Sequence, residues 1–190
     1  MDSLFNVFTA FGLSSAAGLN AYLPLLVVAL LGRFTDLITL KPPWDTLESW
    51  WVIGVLAVLL VIEILVDKIP AVDTANDVIQ TAVRPVAGAL LFAASADTVT
   101  DVSPVLALIC GLLVAGGVHA VKATARPVVT GTTGGTLNAA VSTAEDGLSL
   151  LVSILAVLVP ILGILLLVLI ILLFVGWRKR RQERETPPWW

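Results

Sequence analysis

The hydrophobic positions of this 190-residue chain fall into long apolar runs separated by short polar stretches. A helix needs about 20 apolar residues to cross the hydrocarbon core of a bilayer, so runs of this length predict membrane-spanning helices. Five firm spans are predicted, over 4–31, 50–65, 77–95, 104–121 and 148–175. A sixth span or a re-entrant piece is predicted over 123–146. The expected fold class is an all-α, polytopic transmembrane helix bundle.

Helix-breaking residues interrupt several of these runs. Asn20 and Pro24 predict a break in the first span, because Asn favours a helix end and Pro favours a new start. Pro85 disfavours helical geometry at Arg84, so a kink or restart is expected there. Pro160 and Gly163 predict bends in the last span.

The segment 123–144 is too polar and glycine-rich for an ordinary lipid-facing helix, because it contains Arg126-Pro127 and the Gly/Thr run 130–136. Such backbone is tolerated at membrane depth where protein buries it or where it lines a wet cavity. Thr136 is the expected N-cap of a following helix that carries Asn138, Ser142, Glu145 and Asp146.

Two polar stripes repeat one spacing with an offset of 42 residues: Asp77, Gln80, Arg84, Pro85 and His119, Lys122, Arg126, Pro127. The first three members of each set fall within about 60° on a helix and share one face. A second register, offset by 54, aligns Lys68 with Lys122 and 84–88 with 138–142. Either register predicts an internal repeat with halves at about 1–96 and 97–176, a common plan of small transporters. The alternative is chance recurrence of Arg-Pro.

Composition supports the membrane assignment. The chain is 58% hydrophobic and 13% charged, whereas soluble domains are about 25% charged. Its mean hydropathy is +0.99. Residues 1–176 are expected to form one transmembrane domain, and the first span to be retained, since no basic segment precedes it. The single cysteine, Cys110, lies in an apolar run and excludes a disulfide framework or a cysteine metal site.

Charge is uneven along the chain. The tail 177–190 holds five basic and two acidic residues, a net charge of +3. The positive-inside rule therefore predicts a cytoplasmic C-terminus.

Charged groups inside a bilayer are costly and usually remain where they are used. The candidate ion or solute pathway comprises fourteen residues: Asn20, Tyr22, Glu63, Asp67, Lys68, Asp73, Asp77, Arg84, His119, Lys122, Arg126, Asn138, Glu145 and Asp146. The leading hypothesis is a small transporter or channel for an ion or small polar solute, with His119 as a candidate proton relay. The rival is a non-transporting scaffold or assembly partner in which these charges form ion pairs.

Catalysis is not expected. Asp73 and Asp77 have a spacing that could hold Mg²⁺ with a lipid diphosphate, but the second acidic motif of such enzymes is missing. No cofactor is predicted, and the metal content is left open. The expected partners are the lipid bilayer, a small ion or polar solute and a second copy of the chain, without nucleic acid.

Several short motifs resemble a bacterial family of small multi-pass membrane proteins that is catalogued only as a domain of unknown function. They are Gly18-Leu19-Asn20, Asp67-Lys68-Ile69-Pro70, Asp73, Asp77, Arg84-Pro85, His119, Lys122, Arg126 and Glu145-Asp146. The resemblance covers most of residues 10 to 160 and implies a shared membrane fold without a known activity. For a chain that resembles a bacterial family, the expected location is the bacterial cytoplasmic membrane.

Overall fold

The computed structural model describes residues 2–67, 70–96, 103–159, 168–169 and 171–173. Within them the chain forms α-helices and one short 3-10 helix, Trp44–Glu48, with no strand, which confirms the all-α prediction. The helices are α1 (Asp2–Leu19), α2 (Tyr22–Phe34), α3 (Trp50–Val66), α4 (Pro70–Ala96), α5 (Pro104–Thr133) and α6 (Asn138–Leu158).

Three segments in the described part of the chain are long and apolar enough to cross a membrane. They are Val78–Ala96, Pro104–Thr133 and Asn138–Leu158. The apolar parts of α1, α2 and α3 are shorter, and the 13-residue α2 reaches only about 20 Å at 1.5 Å per residue. The membrane character is therefore supported by three helices, while the count of five or six spans stays a prediction.

The predicted break at Asn20 is present. α1 ends at Leu19, and the Asn20 side-chain oxygen accepts hydrogen bonds from the backbone N–H groups of Tyr22 and Leu23, each at 3.0 Å. Asparagine can satisfy the first amides of a helix in this way. The Asn20 side chain thus stabilises the start of α2 directly after the end of α1.

The predicted restart after Arg84 is wrong, because α4 continues through Pro85 to Ala96. α5 likewise continues through Pro127 to Thr133, beyond the predicted end at Val121. A proline removes one backbone hydrogen bond, and packing can hold a helix across that gap. In α4 buried residues lie on both sides of the proline, with Arg84 before it and Ala87 after it.

The segment 123–146 does not form a helix of its own. It contains the end of α5, a tight turn over 134–137 and the start of α6. Gly134 ends α5 with a left-handed φ of 61°, a conformation that glycine adopts without strain. α6 begins at Asn138 after Leu137, so Thr136 is not its N-cap; the Thr136 hydroxyl instead donates to the carbonyl of Thr133. The predicted bends at Pro160 and Gly163 lie outside the described residues, and α6 ends at Leu158.

Helix α1 lies at the centre of the bundle, against α4, α5 and α6. Its buried face carries small residues, and hydroxyl groups bridge to neighbouring backbones. Ser14 donates to the Gly88 carbonyl at 2.8 Å, and Ser149 of α6 donates to the Ala16 carbonyl at 2.9 Å. Small and hydroxyl-bearing residues are typical of helix contacts in membranes, where backbones approach closely.

Helices α4 and α5 cross in close contact at Gly88, Gly111 and Ala115. A Cβ atom placed on Gly111 would overlap the Gly88 carbonyl oxygen and would lie 2.6 Å from Phe92 Cβ. The outward faces of α3 and α5 are apolar instead, with Val58, Ile62 and Leu113 among the exposed side chains. An apolar exterior around a packed, polar interior suits a protein surrounded by lipid.

Replacing Gly111 tests this crossing. We expect Gly111→Leu to destabilise the protein by about 1–3 kcal/mol, roughly 2–10 °C in melting temperature, because the added side chain must separate α4 from α5. Gly117→Leu is the matched control, since that glycine of α5 is exposed and has open space around it. Equal melting temperatures for the two variants in detergent would contradict the close crossing.

Candidate functional site

Ionisable side chains from four helices and one connection meet inside the bundle. This charged cluster consists of Glu63 on α3, Asp67 after α3, Arg84 on α4, His119, Lys122 and Arg126 on α5, and Glu145 and Asp146 on α6.

Arg84 forms the most deeply buried ion pair of the charged cluster. Its Nη2 lies 3.1 Å from Glu63 Oε1, and the two side chains are 0% and 1% exposed. Its Nη1 lies 3.1 Å from His119 Nδ1. The other ring nitrogen of His119, Nε2, lies 3.1 Å from the hydroxyl of Thr81. Arg84 and His119 belong to different polar stripes, so the two stripes meet through this hydrogen bond.

Lys122 joins the charged cluster to the break between α1 and α2. Its Nζ lies 2.9 Å from Glu145 Oε2 and donates to the carbonyl of Leu19 at 3.0 Å. That carbonyl belongs to the last residue of α1, where helical hydrogen bonds run out. The ammonium group therefore stabilises a helix end and pairs with a carboxylate at the same time.

Asp67 accepts hydrogen bonds from three sides. Ser142 donates to its Oδ2 at 2.8 Å, Asn76 donates to its Oδ1 at 2.9 Å, and Arg126 Nη2 lies 3.4 Å from Oδ2. Burial alone would raise the pKa of this carboxyl, but the Ser142 hydrogen bond and the positive charges of Lys122 and Arg126 outweigh burial and lower the pKa. Asp67, in the connection between α3 and α4, is thus held as a carboxylate.

Arg126 and Glu145 form the more accessible end of the charged cluster. Arg126 Nη2 lies 3.3 Å from Glu145 Oε2, and the side chains are 12% and 16% exposed. Asp146 accepts a hydrogen bond from Asn20 Nδ2 at 2.9 Å. Asn20 therefore caps α2 with its oxygen and holds α6 with its nitrogen.

Three buried polar atoms, two of them in the Arg84–Glu63 pair itself and one on Gln80, have no hydrogen-bond partner within the described part of the chain. They are Glu63 Oε2, Gln80 Oε1 and Arg84 Nε. The Tyr22 side chain, at the start of α2, contacts Gln80 and is half-buried beside Glu63. An unsatisfied buried polar atom costs about 1–3 kcal/mol, so a set of two acceptors and one donor is a place where a guest molecule would be stabilised.

The charged cluster carries an excess of negative charge. Among its described side chains, four are carboxylates (Glu63, Asp67, Glu145, Asp146) and three are cations (Arg84, Lys122, Arg126), which gives a net −1 with His119 neutral. The described residues contain no group of three His, Cys, Asp or Glu side chains arranged for a metal ion.

The structure brings together most of the predicted pathway residues. Asn20, Tyr22, Glu63, Asp67, Arg84, His119, Lys122, Arg126, Glu145 and Asp146 are linked by the contacts above. Asn138 is not among them, because it pairs with Thr130 at the exposed corner between α5 and α6, where its Nδ2 donates to the Thr130 hydroxyl at 3.0 Å. Lys68, the side chains of Asp73 and Asp77 and the tail 177–190 lie outside the described residues.

Four members of the site were missing from the predicted set, and one of them, Asn76, lies on α4 directly before Asp77 and donates to Asp67. Gln80 belongs to the first polar stripe and could have been included on its spacing alone. Ser142 shares a helix face with Glu145 and Asp146, three and four residues on. Thr81 gave no signal, because a threonine on a membrane helix commonly bonds its own backbone.

A separate cavity of about 260 Å³ lies at the opposite end of α1. Its lining includes Asn6, Thr9, Thr39 and Ser95 and no member of the charged cluster. The Thr9 hydroxyl donates to the Ala156 carbonyl at 2.9 Å.

A family model described as "Domain of unknown function (DUF4126)" matches residues 7–180. The chain belongs to this family. The predicted membership in a family catalogued as a domain of unknown function is thereby confirmed, over a longer range than residues 10 to 160. No curated protein and no solved structure matches the chain.

The buried pair can be tested by replacing one or both partners. We expect Arg84→Met to destabilise the protein by about 3–5 kcal/mol, because Glu63 is then a buried charge without its cation. Glu63→Met/Arg84→Met should recover much of that loss, since both charges are removed together. Arg33→Met is the control: Arg33 is an exposed arginine over the Trp50 ring and should cost about 1 kcal/mol or less. A double variant as unstable as the sum of its singles would contradict a coupled pair.

Asn20 should be far more sensitive than Asn138. Asn20→Ala removes the cap of α2 and the amide donor to Asp146, which together cost about 2–4 kcal/mol. Asn138→Ala removes one exposed hydrogen bond and should change stability little. Chemical or thermal unfolding in detergent would compare the two, and similar losses would show that Asn20 has no special role.

Proposed function

We propose that this protein is a small membrane transporter or channel for an ion or small polar solute, and that the charged cluster is its site. The observation that carries the proposal is the set of buried atoms without partners, Glu63 Oε2, Gln80 Oε1 and Arg84 Nε. A scaffold gains nothing from leaving them unsatisfied. A guest that donates twice and accepts once, as water or a hydroxyl-bearing or protonated solute can, would satisfy all three.

The sign of the charged cluster favours a cationic guest or a proton over an anion. Four described carboxylates face three described cations, so binding one positive charge neutralises the charged cluster. Binding a monovalent anion would instead double the excess of negative charge. The accessible end at Arg126 and Glu145 would be the route of entry, because these side chains are 12% and 16% exposed at the protein surface while Arg84 and Glu63 are almost fully buried.

The break at Asn20 supports the same proposal. Interrupted helices expose backbone groups near the middle of transporter folds, where they take part in binding. Here the Leu19 carbonyl is held by Lys122, and the first amides of α2 are held by Asn20. Movement of either side chain would uncover these groups inside the bundle.

A scaffold with an ion-paired core is the second candidate, and a specific observation favours it. Arg84, Lys122 and Arg126 each lie within 3.4 Å of a carboxylate, and the 260 Å³ cavity does not reach them. In that case the charges would only hold the helices together.

The finer features of the setting belong to the proposal as well. We place the protein in the bacterial cytoplasmic membrane with the basic tail 177–190 in the cytoplasm, following the positive-inside rule. A second copy would help so short a chain to enclose a pathway. The internal two-fold repeat is part of the same proposal.

Flux through the purified protein separates the two candidates. Proteoliposomes would be tested for proton entry with an internal pH-sensitive dye under a potassium diffusion potential, and for Na⁺, Cl⁻ and urea in parallel. We expect at least one probe to pass faster than in lipid-only vesicles. Glu63→Gln/Arg84→Gln should return that flux to the lipid-only rate, because the buried carboxylate and guanidinium are both lost.

Arg33→Gln is the control. Arg33 is exposed, donates to the Glu48 carbonyl and is not a member of the charged cluster, so we expect this variant to leave the flux unchanged. If no probe passes above the lipid-only rate, or if the double variant lowers the melting temperature and leaves flux unchanged, the transport proposal is wrong and the scaffold gains.

A further inference from the structure

The contact between Arg84 and His119 defines the state of the imidazole ring. Arginine has N–H donors and no acceptor, and it stays protonated in proteins. A hydrogen bond from Arg84 Nη1 to His119 Nδ1 at 3.1 Å therefore requires a lone pair on Nδ1. In the arrangement described, the ring is neutral and its hydrogen is on Nε2, which faces the hydroxyl of Thr81 at 3.1 Å.

We infer that His119 Nδ1 is the proton-binding site of the charged cluster and that a proton bound there releases Arg84 from the ring. This inference deepens the proposed function by naming the proton as the ion that the site takes. The proton comes from a hydronium ion, whose O–H bond breaks as the N–H bond forms. The ring then carries +1, and Arg84 loses its acceptor and faces a like charge.

The surroundings of the ring fit a single added charge. Arg84 and Thr81 face it from α4, where Asp77 lies one turn before Thr81. The rest of the charged cluster comes from α3 and the connection after it (Glu63 and Asp67), from α5 (Lys122 and Arg126) and from α6 (Glu145 and Asp146), and Tyr22 of α2 lies beside Glu63. The described charges sum to −1 with the ring neutral and to zero with the ring protonated.

The consequence of protonation falls on the Arg84–Glu63 pair. Arg84 is fully buried and held from two sides, by Glu63 Oε1 and by His119 Nδ1. When the ring becomes a cation, only the Glu63 side remains attractive, so the guanidinium must turn. That turn would open the space beside Glu63 Oε2 and Gln80 Oε1, the two acceptors without partners.

The composition of the chain provides a direct test. It contains one histidine, so ¹⁵N-histidine labelling of the full chain in lipid nanodiscs gives one pair of ring signals. At pH 8 we expect a neutral ring with its hydrogen on Nε2 and with Nδ1 accepting a hydrogen bond from an arginine. A hydrogen on Nδ1, or a cationic ring at pH 8, would overturn the inference. On acidification the arginine contact should disappear as the ring gains its second hydrogen, and its persistence would also overturn it.

His119→Gln provides the matched variant. A glutamine amide can accept from Arg84 with its oxygen and donate to Thr81 with its nitrogen, so it imitates the neutral ring and cannot take a proton. We expect its melting temperature to stay near that of the wild type while proton entry into proteoliposomes is lost. His119→Leu can neither accept a hydrogen bond from Arg84 nor donate one to Thr81, so it should lower the melting temperature. Wild-type proton entry through His119→Gln would contradict the role of His119.

The two proposals fail separately. If the ring shows the expected hydrogen on Nε2 and releases arginine in acid, but no probe crosses the vesicles, the transport proposal is wrong and the proton site stands. If a probe crosses and the ring shows the other tautomer, the transport proposal stands and the proton site is wrong.

Discussion

The structure depends on the burial of one guanidinium group. Arg84 has no exposed surface, and a buried cation is tolerated only where acceptors surround it. Glu63 supplies one acceptor from α3 and His119 another from α5, so three helices are held in one register by a single side chain. This matters most for α3, which packs chiefly against α2 and only slightly against α4. The ion pair is therefore a principal link between α3 and the centre of the bundle.

Close helix packing and the charged cluster support one another. The α4–α5 crossing at Gly88 and Gly111 brings the two backbones together one to two turns away from Arg84 and His119, and Gly18 gives α1 a similar approach to α5. Ion pairs of 2.9–3.4 Å need this proximity, because a bulky residue at either crossing would move the helix axes apart. The small residues thus position the charges, although none of them is polar.

The sequence was sufficient for the class of fold and for most members of the site, because helix periodicity and the cost of intramembrane charge are local properties. The starts of α3 at Trp50 and of α5 at Pro104 and the break at Asn20 follow from local residues in the same way. The continuation of α4 through Pro85 and of α5 through Pro127 could not be predicted, since packing against other helices decides it. Spacing also shows which face Arg84 occupies, but not that Glu63 and His119 are its partners. Asn138 shows the limit of prediction from residue type. A polar asparagine on a membrane helix suits a binding site, but this one lies at the exposed corner between α5 and α6.

The short connection between α3 and α4 has a consequence for biogenesis. α3 ends at Val66 and α4 begins at Pro70, so the helices that carry Glu63 and Arg84 leave the ribosome almost together. Each charge alone would oppose partition of its helix into lipid by about 2.5–3.5 kcal/mol. In the proposed membrane arrangement α3 and α4 would enter as a hairpin, so the Glu63 carboxylate and the Arg84 guanidinium could pair before either group is exposed alone to hydrocarbon. The translocon would then handle α3 and α4 as one insertion unit. The order of synthesis would itself keep the two most deeply buried charges, on Glu63 and Arg84, from entering hydrocarbon without a partner.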